Sequence, residues 1–287
     1  MNSPEGHDRY VRSADGTRLV VRQVGSGDPV VLVHGSGGGL HSWVTVADRL
    51  APDHEAWMPA RRGYGPSDVP PGVKSFKDEV ADVVAVVEAA REATGRPVHL
   101  VGVSYGATLA LHTASTDPGG LRSLAVFEPP LFAAGAEIVP LLDRYRAAFE
   151  RDDAPAMAAA LNEVTRVPAA VVAAFAASAG DRAPDPVEAR RSAIGWLHDL
   201  EALAGDGTDL TRWSSITVPT LLMQGADTWE PVPTTMNALA KAMPQARHII
   251  WPGQSHFVTM TAPALVADTL RRFFAEVAAA APEHRHR

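Results

Sequence analysis

A serine lies at the centre of the pentapeptide Gly-Val-Ser-Tyr-Gly at residues 102–106. An apolar run of strand type precedes this pentapeptide, and a run that favours helix follows it. A serine on a strained strand-to-helix turn needs small neighbours, because the two backbones pass close to each other. Gly102 and Gly106 meet that need. The sequence therefore predicts that Ser104 is held on a tight turn with its hydroxyl directed into a cleft.

A serine hydroxyl is a weak nucleophile at neutral pH, and it needs a histidine base that a carboxylate orients. The sequence offers His256 just after the last predicted strand and Asp227 just after the strand before it. Serine, acid and histidine in this chain order, each beyond a strand end, predict a triad of Ser104, Asp227 and His256. Glu128, which follows the sixth predicted strand, and Glu230 remain alternative acids.

A glycine-rich loop could supply the fourth part of such a site. The segment His-Gly-Ser-Gly-Gly-Gly at 34–39 follows a predicted strand rich in β-branched residues. Two backbone N–H groups would bind the oxyanion of a tetrahedral intermediate. We assign one to Tyr105, at the start of the predicted helix, and the other to Ser36, with Gly37 as an alternative donor. His34 is interpreted as a residue that shapes this loop by hydrogen bonding rather than as a base.

Other residues are candidates for the substrate pocket. Glycines of the loop allow a substrate to approach closely, and large aromatic side chains could line an acyl or alcohol pocket. The predicted substrate-binding residues are Gly35, Gly37, Trp43, Trp196 and Trp229. The sequence contains no spacing typical of a metal site and no phosphate-binding loop, so neither a metal nor another cofactor is expected.

Predicted strands and helices alternate along most of the chain. Such alternation predicts a mostly parallel sheet with helices on both faces. The alternation is interrupted from about 130 to 213, because this stretch is alanine-rich, helical in propensity and without a convincing strand. We therefore predict a core domain of residues 1–129 and 214–287, and a helical cap of residues 130–213 above the carboxyl ends of the strands.

Composition narrows the classes of function. The 287-residue chain is 46% hydrophobic and 21% charged, as in a soluble globular protein, and its net charge of −7 argues against a nucleic-acid partner. It contains no cysteine, which excludes thiol catalysis and disulfides. The amino terminus does not resemble a secretory signal, and the most apolar stretch, 167–177, is shorter than the roughly 20 residues that a membrane span needs. A cytoplasmic protein without a membrane partner is expected, and its oligomeric state is left open.

Several motifs together resemble the α/β-hydrolase superfamily over nearly the whole chain. Besides the serine pentapeptide and the glycine loop, these motifs are Arg-Gly-Tyr-Gly-Pro-Ser at 62–67, Phe-Glu-Pro-Pro at 127–130, Gly-Ala-Asp at 225–227 and Pro-Gly-Gln-Ser-His at 252–256. Within the superfamily the chain is similar to the actinobacterial-type esterase and haloperoxidase-like branch. The resemblance implies a sheet of about eight strands, a Ser-His-Asp triad and a cap. Ala60 stands where family members often carry an aspartate.

These patterns predict a cofactor-free serine hydrolase that cleaves a carboxylic ester, or a related lactone or thioester, of a small molecule. An alternative is hydrolysis of a carbon–carbon bond in a natural-product intermediate, because the same triad can serve it. A further alternative is a ligand-binding protein that has the fold without the activity.

Overall fold

A computed structural model describes residues 6–167, 169, 173 and 185–280. These residues include an eight-stranded sheet with the strand order β1-β2-β4-β3-β5-β6-β7-β8. The two pairs that involve β2 are antiparallel, and the other neighbouring strands are parallel. The strands are β1 (His7–Arg12), β2 (Arg18–Gly25), β3 (Asp28–Val33), β4 (His54–Pro59), β5 (Val98–Val103), β6 (Leu121–Phe127), β7 (Thr220–Gly225) and β8 (Arg247–Trp251).

Helices cover both faces of this sheet. In order along the chain, they are α1 (Val44–Leu50), α2 (Phe76–Thr94), α3 (Tyr105–Thr116), α4 (Val139–Glu150), α5 (Ala154–Thr165), α6 (Pro186–Ala204), α7 (Val232–Ala242), α8 (Val258–Thr261) and α9 (Pro263–Ala280). The predicted fold, a mostly parallel eight-stranded sheet between helical layers, is confirmed.

The alternating side chains of the central strands divide the core in two. Val31 and Val33 of β3 join an apolar cluster with α2, α3 and α7. Val30 and Leu32 of the same strand join a second cluster with α1 and α9 on the opposite face. Successive strand residues point to opposite faces, so a strand buried on both faces must be apolar throughout. This requirement explains the unbroken apolar run of β3.

Helix α2 has well-defined ends, which fix the face that it presents to the core. The Ser75 hydroxyl and the Asp78 carboxylate form a reciprocal capping box at its amino end, and Gly95 ends it in the left-handed conformation with φ of 68°. The resulting orientation buries Glu79 and Asp82 along with the apolar residues of the helix. Buried carboxylates on an otherwise apolar face require charged or hydrogen-bonding partners.

Helices α4 to α6 lie between β6 and β7 in the chain, and we refer to residues 130–213 as the insertion. Leu142, Tyr145 and Leu200 of the insertion belong to the same apolar cluster as α2 and α3. The insertion therefore packs on the core through buried apolar surface. Its standing as a separate cap domain stays a prediction, and most of the apolar stretch 167–177 lies outside the described residues. In the part of the chain that is described, no helix is long and apolar enough to cross a bilayer.

Candidate active site

Ser104 lies on the turn between β5 and α3 with φ of 54° and ψ of −125°, a conformation that is strained for a residue with a side chain. The flanking glycines make this turn possible. A Cβ atom on Gly102 would lie 2.2 Å from the carbonyl oxygen of Gly106, and one on Gly106 would lie 2.5 Å from the carbonyl oxygen of Val33. The structure thus shows why the predicted turn needs small residues on both sides of the serine.

His256 lies in the loop after β8, and its ring is hydrogen-bonded to Glu128. The Nδ1 atom of His256 is 2.7 Å from Oε2 of Glu128. Because an ionised carboxylate only accepts hydrogen bonds, Nδ1 carries the proton and Nε2 is left as the basic nitrogen. Glu128 follows β6 directly, in the left-handed region with φ of 45°.

Neighbouring groups hold the Glu128 carboxylate from the other side. Its Oε1 atom accepts the backbone N–H of Gly225 at 2.8 Å and the hydroxyl of Thr228 at 2.7 Å. The Glu128 side chain is fully buried, whereas that of His256 is 17% exposed. A buried carboxylate that accepts three hydrogen bonds has a fixed orientation, so it can fix the imidazole in turn.

The structure corrects the predicted pairing of Asp227 with His256. Asp227 is exposed in the loop after β7, where its backbone N–H donates to the carbonyl oxygen of Gln254 at 2.8 Å. Glu230, the weaker alternative, is also exposed, and its carboxylate accepts the N–H of Thr234. The position after β6, and not the one after β7, delivers a carboxylate to the histidine.

The glycine-rich loop follows β3 and lies against the serine. A Cβ atom on Gly35 would be 3.0 Å from that of Ser104. Three N–H groups of the loop already have acceptors: Gly37 donates to the Tyr64 hydroxyl at 3.2 Å, Gly38 to the Gly35 carbonyl and Gly39 to the Ser42 hydroxyl.

The backbone N–H groups of Ser36 and Tyr105, the predicted oxyanion donors, differ from these three. Among the described residues, no hydrogen bond uses the N–H of Ser36 or of Tyr105. An oxyanion donor must have no other acceptor before substrate binds, and both N–H groups meet that condition, although Tyr105 as a residue is fully buried. The alternative donor, Gly37, is already engaged with Tyr64.

His34 shapes the loop, as the sequence predicts. Its Nδ1 atom is 2.7 Å from the Gly35 carbonyl oxygen, and its Nε2 atom accepts the backbone N–H of Arg61 at 3.1 Å. Burial, together with the nearby charge of Arg61, lowers the pKa of His34 to about 3. The ring is therefore neutral at physiological pH, with both nitrogens engaged.

A cavity of about 1670 Å³ opens in front of these groups and is lined by both Ser104 and His256. Three of the predicted substrate-binding residues, Gly35, Gly37 and Trp196, also line it, as does Ser36. Other parts of the wall come from the segment after the glycine-rich loop and from α5, which no sequence pattern singles out: Leu40, His41, Thr45, Ala158, Ala159, Leu161, Asn162 and Thr165. Glu188 of α6 and two residues that follow His256, Phe257 and Met260, line the cavity as well.

Two predicted pocket residues lie elsewhere. Trp43 is 1% exposed and belongs to the apolar cluster beneath α1 and α9. Trp229 meets the His256 ring edge-on, with ring centroids 5.7 Å apart, and stacks on Phe257. Neither tryptophan is among the described lining residues. Trp229 therefore contacts the site from behind the histidine and not from the cavity.

Known proteins share this architecture. The model of the alpha/beta hydrolase family matches residues 30–269. An α/β hydrolase structure from Sphaerobacter thermophilus is 32% identical and superposes with a TM-score of 0.71 over 93% of this chain and 100% of that one. An esterase from Exiguobacterium antarcticum is 19% identical, with a TM-score of 0.75 over 94% of this chain and 100% of that one, and shows the fold alone.

Curated relatives match in part only. The 2-hydroxy-6-oxo-2,4-heptadienoate hydrolase of Pseudomonas putida is 34% identical over 120 residues, which are 39% of this chain and 41% of that enzyme. The chain thus spans less than half the length of this relative in the match. Since the family model covers most of the chain, the protein belongs to the alpha/beta hydrolase family.

Proposed function

We propose that this hydrolase cleaves a carboxylic ester, or a related lactone or thioester, with Ser104 as nucleophile, His256 as base and Glu128 as the acid of the triad. The observation that carries the proposal is the 2.7 Å hydrogen bond between His256 and the buried Glu128, beside a serine on a strained turn in the same cavity. Perturbed backbone conformations concentrate at functional sites, and both Ser104 and Glu128 have a positive φ.

The reaction would proceed in two halves. As the Ser104 hydroxyl attacks the carbonyl carbon, its proton passes to Nε2 of His256, and the N–H groups of Ser36 and Tyr105 bind the oxyanion. The imidazolium then protonates the leaving alcohol as the ester bond breaks. Water, deprotonated by His256, attacks the acyl-enzyme and releases the acid with the serine regenerated. Glu128 holds Nδ1–H throughout and stabilises the imidazolium.

In the described structure the Ser104 hydroxyl and the His256 ring are not hydrogen-bonded to each other. Such contacts are commonly long before substrate binds and tighten in the complex. We expect a bound acyl group to bring the two side chains into contact.

A second candidate function is carbon–carbon bond hydrolysis, which the similarity to the heptadienoate hydrolase favours. The lining of the cavity favours an ester instead. Small and apolar side chains dominate its wall, and among the described lining residues the side chain with a full charge is the carboxylate of Glu188. The Glu188 side chain is 60% exposed and lies 3.8 Å from Arg191, so its charge is largely screened. An ester is favoured because no lysine or arginine is among the described lining residues to pair with the carboxylate of a dienoate.

Labelling with a fluorophosphonate probe tests the proposal directly. We expect the purified protein to be labelled and the Ser104→Ala variant to be inert both to the probe and to a panel of p-nitrophenyl esters. Ser115→Ala is the matched control, since Ser115 lies on the same helix but is exposed and bonded to Ser215. Labelling of Ser104→Ala would contradict the assignment. Turnover of a dienoate substrate without turnover of any ester would favour the second candidate.

The finer predictions from the sequence belong to the same proposal. They are a place in the esterase and haloperoxidase-like branch, a cap formed by residues 130–213, a cytoplasmic location and a small-molecule substrate, without a cofactor and without a nucleic-acid or membrane partner. Tracking the ester panel by acyl-chain length would test the substrate class, because a cavity of about 1670 Å³ has room for more than an acetyl group.

A further inference from the structure

Four ionisable side chains are buried together where the insertion meets the core, and we call them the junction cluster: Arg61, Lys74, Glu79 and Asp199. None has a side chain more than 4% exposed. The cluster contains two positive and two negative charges, so it is neutral as a whole. Burying charges is costly, and such groups contribute less to stability than to holding one particular arrangement.

Asp199 is the member that the insertion contributes. It lies on α6, and the two terminal nitrogens of Arg61 donate to its two oxygens at 3.0 and 2.7 Å. Lys74 donates to the same carboxylate. Burial alone would raise the pKa of Asp199, but the charges of Arg61 and Lys74 lower it well below its ordinary value. The carboxylate is therefore ionised throughout the neutral range.

Through Arg61, the junction cluster reaches the glycine-rich loop. The Arg61 side chain donates from Nε to the carbonyl oxygen of His34 at 3.1 Å, and its own backbone N–H donates to the His34 ring. Arg61 also donates to Glu79 at 2.7 Å. The bidentate contact with Asp199 thus fixes a guanidinium that in turn holds the first residue of the loop.

Tyr64 makes a second connection between the insertion and the glycine-rich loop. Its hydroxyl donates to Asp199 at 2.7 Å and accepts the N–H of Gly37 at 3.2 Å. This one oxygen therefore joins the insertion to the loop and occupies the N–H next to the proposed oxyanion donor. If the hydroxyl were absent, the Gly37 N–H would lose its acceptor in the described structure.

The other proposed oxyanion donor also belongs to a residue that contacts the cluster. The Tyr105 hydroxyl donates to Glu79, its ring stacks on Phe76, and Arg61 lies over its face at 4.3 Å. The residues that provide both N–H groups, Ser36 and Tyr105, are thus flanked by side chains that the junction cluster orients.

We propose that Asp199 is a positioning residue: it fixes Arg61 and Tyr64 so that the glycine-rich loop leaves the Ser36 N–H for the substrate oxyanion. This inference rests on the proposed function. It makes the docked insertion part of the catalytic geometry, because the oxyanion site has its full form only when α6 is packed against the core.

The Tyr64→Phe variant tests the connection without removing a buried charge. We expect kcat for an ester to fall roughly tenfold with KM nearly unchanged, since complete loss of one oxyanion donor costs about 10²–10³-fold. Affinity for an aryl trifluoromethyl ketone, which forms a tetrahedral adduct with a serine, should fall in the same proportion. The matched control is Tyr145→Phe, which removes a hydroxyl that donates to the Ala193 carbonyl within the insertion.

The Asp199→Asn variant should have a larger effect, roughly a hundredfold in kcat, because it also loosens Arg61. Asp206→Asn is its control: Asp206 follows the same helix and is paired with Arg212 in a bidentate contact at 2.8 Å that does not touch the loop. Activities are compared per folded molecule, as measured by circular dichroism. Equal kcat values in Tyr64→Phe and Tyr145→Phe would overturn the inference.

Amide hydrogen exchange in the peptide that covers residues 34–39 gives a readout that does not depend on activity. We expect faster exchange in Tyr64→Phe and in Asp199→Asn than in the two controls. The Gly37 N–H loses its acceptor in Tyr64→Phe, whereas in Asp199→Asn Tyr64 and Arg61 lose the charged partner that fixes them. Unchanged exchange in Tyr64→Phe would overturn the positioning role even in an active enzyme. Faster exchange in a protein that shows no hydrolysis would support the positioning role and contradict the proposed function.

Discussion

The loops after β6 and β7 begin in the same way, but their carboxylates lie in different environments. Each follows a buried parallel strand, and each carries a carboxylate within two residues of the strand end: Glu128 after β6 and Asp227 after β7. Glu128 is buried, has a positive φ and accepts hydrogen bonds from three groups. Asp227 is exposed, and the described contact to its neighbour loop runs through its backbone N–H.

The difference shows that position after a strand does not by itself select the acid. The β7 loop still serves the site, but through its backbone and Thr228, both of which donate to Glu128. One loop supplies the charge and the other supplies the donors that orient it. Substitutions in the two loops test this division of roles.

The largest effect is expected for Glu128→Gln. An amide at this position would present an N–H₂ group to His256, and the ring would then favour the tautomer with its proton on Nε2. That tautomer cannot accept the serine proton, so kcat should fall by about 10⁴-fold, as when the acid of a comparable triad is replaced by its amide. Ester hydrolysis by the folded variant measures the loss. A loss of less than tenfold would contradict the role of Glu128.

The sequence was sufficient to predict the mostly parallel sheet between helices, because burial on both faces of a strand leaves a strong apolar pattern. It also singled out Ser104 and His256, the residues that the structure places on one cavity. Ser104 and His256 stood out because glycines and strand ends surround them. The acid was ambiguous because Glu128 and Asp227 have the same local signal, and the choice depends on which carboxylate the tertiary fold buries next to His256.

The junction cluster lay beyond sequence reasoning for a related reason. Arg61 and Asp199 are 138 residues apart in the chain, so no local spacing links them. One signal was present: Glu79 lies on the same helical face as Val83 and Val86, where a carboxylate is out of place unless it has a buried partner. A charge within an apolar helical stripe thus indicates that a partner exists, but it does not identify that partner.

A smaller but substantial effect is expected for Gly225→Ala, because this glycine lets the β7 loop approach the histidine loop. A Cβ atom there would lie 2.4 Å from the carbonyl oxygen of Gln254 and 3.0 Å from the Cα of Ser255. We expect a loss of about 1–3 kcal/mol in the free energy of unfolding. Activity should fall as well, because the Gly225 N–H and the histidine loop would be displaced.

Gly253→Ala is the control for that substitution in urea unfolding. Unlike Gly225, Gly253 has a positive φ, at 70°, and no other atom lies within 4 Å of a Cβ built on it. Its substitution should cost stability through backbone strain alone, without displacing the histidine loop. If Gly225→Ala retained full activity while Gly253→Ala lost it, close approach of the two loops would not be what the site requires.

A milder effect is expected for Thr228→Val, which removes one of the two donors to Oε1 of Glu128 and keeps the shape of the side chain. A hydrogen bond to a charged group contributes about 1.5–3 kcal/mol to stability, and the Gly225 N–H would remain to hold the carboxylate. We therefore expect a lower melting temperature and a several-fold lower kcat. Thr235→Val, whose hydroxyl donates to the Pro231 carbonyl, is the control and should retain its activity.

The smallest effect is expected for Asp227→Asn. The substitution removes the charge but preserves the backbone N–H that bonds Gln254, so kcat/KM should stay within about twofold of the unsubstituted protein. In the double variant with Glu128→Gln, we expect the loss of kcat/KM to equal the loss in Glu128→Gln multiplied by this same small factor, because sites that share no interaction have additive free-energy effects. A loss in Asp227→Asn as large as that in Glu128→Gln would assign the acid to the β7 loop. The buried carboxylate would then be a structural support for His256, and the contrast between the two loops would be reversed.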